Sequence, residues 1–280
     1  MKQLLGLAAL LSGLAVQAQI KMPAPSTTQQ ISQDFGMGKL LLSYSRPNLK
    51  ERPPFKENGT IAPMGKVWRT GANAATTLTV TDEISINGVV LKAGKYGLLS
   101  VPEKKQLVWI VTKDTTVTSP AAYKPDNDIV RLAAPYTTTN FPTETLSFQF
   151  GNVQNESCQL QLSWSKYVVT LPIATNIKAR IAKQVETALA ADKISAGTYQ
   201  SAANFYFEWE KDLPKALVNA TKATEANGKA FWLWLLKARI AVAMGDKISA
   251  KADAEKCIAL ATEQKNGDYV KMATDLIKGL

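Results

Sequence analysis

The chain has 280 residues and a formal charge of +10, from 33 Lys and Arg against 23 Asp and Glu, and it contains two cysteines and no histidine. The lack of histidine removes the commonest general base, removes Ser-His and Cys-His nucleophile pairs, and leaves zinc without its usual ligand sets. We therefore assign no catalytic residue, metal or cofactor, and we expect no nucleic-acid partner because bases alternate with acids along the chain.

Residues 1–18 have the three regions of a secretory signal peptide. Lys2 gives a basic start, residues 4–16 are apolar, and the small residues Val16 and Ala18 precede a cleavage point before Gln19. The apolar run is shorter than the ~20 residues of a membrane span. We predict cleavage and a periplasmic or secreted protein with no membrane span after cleavage; an uncleaved anchor is the alternative. Residues 19–37 are polar and contain proline, which predicts a flexible leader.

Residues 38–174 have the period of two that is typical of strands. In the stretch KLLLSYSRP, which begins at Lys39, alternate side chains point to opposite faces. Further along, Asn87-Gly88 lies between apolar residues, which is typical of a hairpin turn. About eight short strands with regularly spaced turns predict an antiparallel β-sandwich. The fold class is therefore α+β, with this sandwich followed by an all-α region.

Residues 175–280 have a helical period and an internal repeat. Residues 211–228 align with 245–262 at a shift of 34, which is the tetratricopeptide period. Two units are fewer than a stable stack normally needs, so the alternatives are a tetratricopeptide-like region and a plain helical bundle. A repeat surface of this kind predicts another envelope protein as partner.

The stretch KVWRTGANAAT, residues 66–76, follows a long proline-containing loop over residues 46–65. Long loops without regular structure are often functional. An arginine fork can bind an anion beside an aromatic wall, or it can tie the loop to the sandwich through protein carbonyls. The second alternative, a corner of the fold with a buried Trp68, is the preferred interpretation. The candidate ligand-binding residues, for an anionic or glycan ligand, are Arg46, Lys66, Trp68, Arg69 and Asn73.

Four segments carry a family resemblance: SRPNLK, GKVWRTGANAAT, LKAGKYGLLSVP and VWIVTKD, in this order. Between about Gly38 and Ile173 the chain resembles domain of unknown function 2911, a bacterial family of exported domains. The resemblance implies an exported β-domain with no established activity and a tetratricopeptide-like tail. The chain departs from the family pattern at Ala74, where the family usually has Glu, and at residues 115–123, where many members have Trp-Gly.

We predict a non-catalytic module that binds a ligand or a protein. One alternative is a hydrolase that acts on glycans through carboxylates near strand ends, and another is a purely structural envelope protein. The acids that such a hydrolase would use are Asp114, Asp126, Asp128 and Glu144. Cys158 and Cys257 lie in apolar patterns and are predicted to be buried free thiols.

Overall fold

The computed structural model describes residues 22–280, and the predicted signal peptide lies outside them. The chain divides into two compact units after Ala174, close to the position where the sequence period changes. The first unit contains ten strands and the second contains helices, so the predicted α+β fold class is confirmed. No helix among the described residues combines the length and the apolar character that a membrane crossing requires.

Two antiparallel sheets form the first unit. The six-stranded sheet has the order β1-β2-β3-β6-β7-β8, and the four-stranded sheet has the order β5-β4-β10-β9. The strands are β1 (Thr27–Phe35), β2 (Gly38–Arg46), β3 (Thr76–Val80), β4 (Ile84–Ile86), β5 (Val89–Leu91), β6 (Gly94–Pro102), β7 (Gln106–Thr112), β8 (Asp128–Pro135), β9 (Thr137–Gly151) and β10 (Ser157–Ala174).

One core lies between the two sheets and makes them a sandwich. Leu42 and Leu78 from the six-stranded sheet are buried in the same cluster as Leu146 and Leu162 from the four-stranded sheet. Their neighbours along each strand are less buried, as the alternation of a half-buried strand requires. Burial of apolar side chains from both sheets therefore holds the unit together.

The predicted flexible leader is wrong for residues 27–35, which form β1. This strand pairs with β2 along its whole length, from Thr27 opposite Arg46 to Phe35 opposite Gly38. Gly36 allows the tight turn between them with a φ of +59°. The ladder uses backbone groups, which every residue of this polar segment supplies, so the polar composition did not prevent pairing.

The second unit consists of consecutive helices. They are α1 (Lys178–Leu189), α2 (Ala196–Asn204), α3 (Leu213–Ala226), α4 (Phe231–Ala243), α5 (Lys247–Glu263) and α6 (Gly267–Lys278), and a π-helical turn over Phe205–Glu210 extends α2. Each helix from α2 onward packs against the next one in the chain. Lys211 ends the π-helical turn in a left-handed conformation, with a φ of +58°.

The sequence repeat is also a structural repeat. Asp212 and Asp246, which are 34 residues apart, cap α3 and α5, and each accepts a hydrogen bond of 3.0 Å from the backbone N–H three residues later. The small residues that match across the repeat are fully buried, which lets neighbouring helices approach closely: Ala216 and Ala250, Ala220 and Ala254, Ala223 and Cys257. The description of this region as tetratricopeptide-like stays a prediction.

Both cysteines are buried and free, one in each unit, as predicted. Burial raises the pKa of the Cys158 thiol to about 11. Burial is also the largest effect on Cys257, and it raises the pKa of that thiol. Neither thiol is therefore ionised near neutral pH, and both act as small apolar side chains.

Candidate functional site

The centre of the VWRTGAN stretch is a buried indole. Trp68 exchanges two backbone hydrogen bonds with Ser100 of β6, at 2.7 and 2.9 Å, and is 7% exposed. Its ring stacks on Trp164 of β10 at 5.4 Å between centroids and an angle of 11°, with the edge of Phe55 nearby. Because Trp164 covers this face of the indole, that face is not available as a stacking wall for a ligand. The fold-corner interpretation predicts this burial of Trp68, but its proposed contact between Arg69 and the loop over residues 46–65 is wrong, because Arg69 donates to Asn73 and Thr118 instead.

A tight turn follows the indole and directs its carbonyl groups toward the protein. The carbonyl of Gly71 accepts from the Trp68 indole at 3.0 Å, and the carbonyl of Thr70 accepts from the Thr76 hydroxyl at 2.8 Å. Thr70 and Asn73 adopt left-handed conformations, with φ of +53° and +62°. A Cβ on Gly71 would lie 3.0 Å from the Ser45 carbonyl oxygen, so this close approach to β2 favours glycine.

Arg69 links this turn to a second loop. Its Nη1 donates to the carbonyl oxygen of Asn73 at 3.2 Å and to the carbonyl oxygen of Thr118. Its Nε and Nη2 have no acceptor among the described residues. The side chain therefore fastens the loop between β7 and β8 to the corner and retains donors for a further acceptor.

Beside this corner lies a cavity of about 410 Å³. This size is within the range of small-molecule sites, about 300–1,000 Å³. Two arginines, Arg52 and Arg69, line it, and no lining residue carries a carboxyl group. Four parts of the chain that are far apart in sequence form it, and the residues that line it include Ser26, Pro47, Arg52, Thr60, Ile61, Pro63, Val67, Trp68, Arg69, Gly71, Ala72, Val117, Ser119, Pro120 and Trp164.

Arg52 is held in place by the loop that contains it. Its Nε donates to the Leu49 carbonyl oxygen and its Nη2 to that of Asn48, both at 3.0 Å. The same loop buries Phe55, which stacks on Tyr136 and forms T-shaped ring contacts with Trp68 and Trp164. The long loop is therefore anchored by an aromatic cluster, and it presents Arg52 at the surface.

Another part of the wall comes from the loop between β7 and β8, residues 113–127. Val117 is buried against Leu99 and Ile110, which places Ser119 and Pro120 beside the cavity. Asp114 caps the start of the loop by accepting from the backbone N–H and hydroxyl of Thr116, at 2.8 and 2.7 Å. These hydrogen bonds lower the pKa of the Asp114 carboxyl.

A small polar cluster fastens the end of this loop to β8. The Tyr123 hydroxyl donates to the Asp128 carboxylate, and the guanidinium of Arg131 donates to both. Burial, and after it the hydrogen bond to Asp128, raises the pKa of Tyr123 to about 12. The phenol thus stays protonated at neutral pH and acts as a hydrogen-bond donor, which is a structural role.

Of the five candidate residues, the structure brings Trp68 and Arg69 to the cavity. Arg46 crosses to β9 instead, where it donates to the Leu146 carbonyl oxygen at 3.0 Å and to the Ser147 hydroxyl at 2.9 Å. Asn73 donates to the Ser26 carbonyl oxygen at 3.0 Å. Lys66 is exposed and does not line the cavity.

Sequence reasoning missed Arg52 and the wall formed by residues 117–120. The signal for Arg52 was present, because it lies in the long loop that was expected to be functional. Residues 117–120 lie in the stretch 115–123 that departs from the family pattern, but their position beside the corner depends on the packing of Val117 and on the Arg69 contact.

The four acids that a hydrolase would use lie outside this cavity. Asp114 and Asp128 are engaged as described above, and one carboxylate oxygen of Glu144 accepts from the backbone N–H of Lys50 at 2.8 Å. Asp126 is exposed in a short 3₁₀ turn, Pro125–Asn127. The described residues also contain no group of three or more metal-binding side chains.

Comparison with known proteins gives a match for the β-rich part of the chain. No curated protein matches the sequence. The family model described as "Protein of unknown function (DUF2911)" matches residues 26–173, which begin just before β1 and end within β10. This match covers more than half of the 280 residues and includes every segment that surrounds the cavity. The chain therefore belongs to the DUF2911 family of proteins of unknown function.

Proposed function

We propose that this protein is a non-catalytic binding module whose β-sandwich holds a small ligand with an anionic group. The observation that carries the proposal is a concave site that two arginines line and that has no carboxyl-bearing residue among its lining. Arginine binds carboxylates and phosphates through paired, charge-assisted hydrogen bonds. The rest of the wall consists mainly of proline, aliphatic and hydroxyl side chains, which suit a compact ligand body.

Two further features support binding over hydrolysis. Glycoside hydrolysis needs two carboxyl groups about 5–10 Å apart across the scissile bond. The wall of this cavity carries none, and Asp114 and Asp128 already accept hydrogen bonds from neighbouring side chains. The hydrolase alternative has no comparable support from the geometry.

The test compares pairs of ligands that differ at one group, which is a carboxylate in one member and a neutral group in the other. The full mature chain is titrated by calorimetry or ligand-observed NMR with glucuronate against glucose, and with benzoate against benzamide. We expect binding of the anionic member of a pair and none of the neutral member. Arg52→Gln and Arg69→Gln should each weaken that binding roughly tenfold, the equivalent of one lost hydrogen bond to a charged group.

Lys66→Gln is the matched control, because it removes the same charge from an exposed position that does not line the cavity. Equal binding of neutral and anionic members would contradict the proposal. Turnover of a glycan substrate that Asp128→Asn abolishes would contradict it as well and would favour the hydrolase.

Export and a protein partner for the helical repeats also remain proposals. Support for the partner comes from exposed apolar side chains on the helical unit, among them Val218, Val242 and Ile248.

For export, the full chain is expressed in a bacterium with a periplasm, and the N-terminal sequence of the mature protein is determined. A start at Gln19 is expected, and recovery of a chain that begins at Met1 in the cytoplasm would contradict it.

A further inference from the structure

We propose that the turn over residues 70–73 is an oxyanion subsite, in which the backbone N–H groups of Gly71 and Ala72 and the unused N–H groups of Arg69 bind the terminal phosphate, sulfate or carboxylate of the ligand. The inference rests on the proposed function and specifies where in the cavity the charge binds. It assigns recognition to backbone donors as well as to side chains.

In this turn the backbone carbonyl groups have hydrogen-bond partners, whereas two backbone N–H groups do not. The carbonyl of Arg69 accepts from the Thr76 N–H at 3.0 Å, and those of Thr70, Gly71 and Asn73 accept from the side chains described above. The N–H groups of Gly71 and Ala72 have no acceptor within residues 22–280. The turn therefore uses its acceptors internally, and the two residues that carry the unpaired donors line the cavity.

Such donors need an acceptor, because buried backbone N–H groups without a partner are rare in folded proteins. Gly71 is buried, and both Gly71 and Ala72 line the cavity. Successive N–H groups next to a left-handed residue form a concave site for anions, and Thr70 supplies that conformation with a φ of +53°. An oxyanion fits this site better than water does, since it accepts several hydrogen bonds at once and carries charge.

Arg69 gives the subsite its positive charge. Nη1 is used by two carbonyl groups, and the donors on Nε and Nη2 remain available on the same wall as the turn. The guanidinium is held in position by protein groups before a ligand arrives, so little side-chain freedom is lost on binding. The loop carbonyl of Thr118 does not have to be displaced, because arginine has five N–H donors.

The experiment observes the backbone donors directly. The ¹⁵N-labelled mature chain is titrated with sodium phosphate, sodium sulfate and sodium acetate at constant ionic strength, and amide shifts are followed by NMR. We expect saturable downfield shifts at Gly71 and Ala72 that exceed those of other amides. If phosphate and sulfate bind more tightly than acetate, the ligand ends in a tetrahedral oxyanion; the reverse order indicates a carboxylate.

Three variants separate the contributions. Arg69→Gln should weaken the phosphate titration roughly tenfold at these two amides. Arg69→Lys keeps the charge without the planar fork and should give an intermediate loss. Lys66→Gln removes one charge from the same stretch and should leave the titration unchanged. A thermal unfolding curve for each variant shows that it is folded.

Each result has a definite meaning. Selective shifts at Gly71 and Ala72 that depend on Arg69 support the subsite. Anion binding that Arg52→Gln weakens, with no selective shift at these two amides, overturns the subsite and leaves the proposed function standing. The absence of any anion-dependent shift, together with no binding in the charge-matched ligand pairs, overturns both.

Discussion

At the scale of single residues, the structure separates two roles that the VWRTGAN stretch combines. Trp68 is a core side chain, stacked on Trp164 and hydrogen-bonded to the turn that follows it. Arg69, the next residue, points toward a cavity and has donors to spare. Both side chains line the cavity, but only the indole is buried against core residues, whereas the guanidinium keeps unused donors. The buried residue fixes the corner, and its neighbour is available for a ligand.

The first prediction concerns the role of Trp68. Trp68→Ala should lower the free energy of unfolding by ~3–5 kcal/mol, because it removes a buried aromatic ring and leaves a cavity. Urea unfolding measures the effect. Trp232→Ala is the matched control, because Trp232 on α4 is 38% exposed. This variant should lose much less free energy of unfolding than Trp68→Ala. Similar small losses in both variants would mean that Trp68 does not support the fold.

Arg69→Ala is expected to have a smaller effect on stability. Two carbonyl groups lose a donor, but both belong to exposed residues, Asn73 and Thr118, where water can replace it. We therefore expect a loss of about 1 kcal/mol, the value of an ordinary hydrogen bond. The same urea series with Lys66→Ala as control measures it. A loss as large as that of Trp68→Ala would contradict this account and assign Arg69 to the core structure.

At the scale of elements, buried charge distinguishes the helical unit from the sandwich. Asp253 on α5 is 6% exposed, pairs with Lys237 of α4 at 3.2 Å, and leaves its second carboxylate oxygen without a partner among the described residues. Burial is the largest effect on this carboxyl and raises its pKa; Lys237 lowers the pKa by less, and Asp246 adds to the rise. The folded state therefore holds the proton of Asp253 more tightly than the unfolded state does.

This gives a pH prediction with a definite sign. When the folded-state pKa of an acid is raised, its contribution to stability is greatest below the unfolded pKa of about 4 and is lost as pH rises through the folded value. Wild type should thus lose stability relative to Asp253→Asn between pH 4 and the raised pKa. Urea unfolding of both proteins over pH 4–7 tests it. A relative gain of the wild type with rising pH would show that the attraction to Lys237 dominates.

At the scale of the whole molecule, the two units have cores of different kinds. The sandwich has one large cluster, with large residues such as Trp109, Trp164 and Leu98, and a smaller cluster around Leu99 and Ile110. The helical unit has several smaller clusters, and alanines such as Ala220 and Ala254 supply many of their buried positions. Because hydrophobic stabilisation scales with the buried apolar area, we expect the helical unit to have less stabilisation per residue.

The corresponding prediction compares the two units as separate fragments. Residues 22–174 should unfold in one steep urea transition. Residues 175–280 should unfold in a shallow one, since consecutive helices contact mainly their neighbours and each adds little buried area. Far-UV circular dichroism follows both transitions. The prediction would be contradicted if the helical fragment unfolded with the urea dependence expected for a cooperative domain of its length.

The sequence by itself determined the features that depend on neighbouring residues. Side-chain periods of 2 and 3.6 identified strands and helices because one face of each element is buried. The 34-residue shift identified equivalent helices, and the VWRTGAN segment identified the family that the match over residues 26–173 confirms. The fold class followed from these patterns, since each pattern is written into consecutive residues.

Only the tertiary structure decided which separate segments meet. β1 forms through backbone pairing with β2, which imposes no apolar pattern on residues 27–35. Arg46 was a candidate for the site, yet its neighbours across the sandwich, Leu146 and Ser147, use its donors. The cavity brings together Arg52, Arg69 and Ser119. These residues are far apart in the chain and follow no regular spacing. These positions depend on pairing and packing between distant segments, so no local pattern in the sequence predicts them.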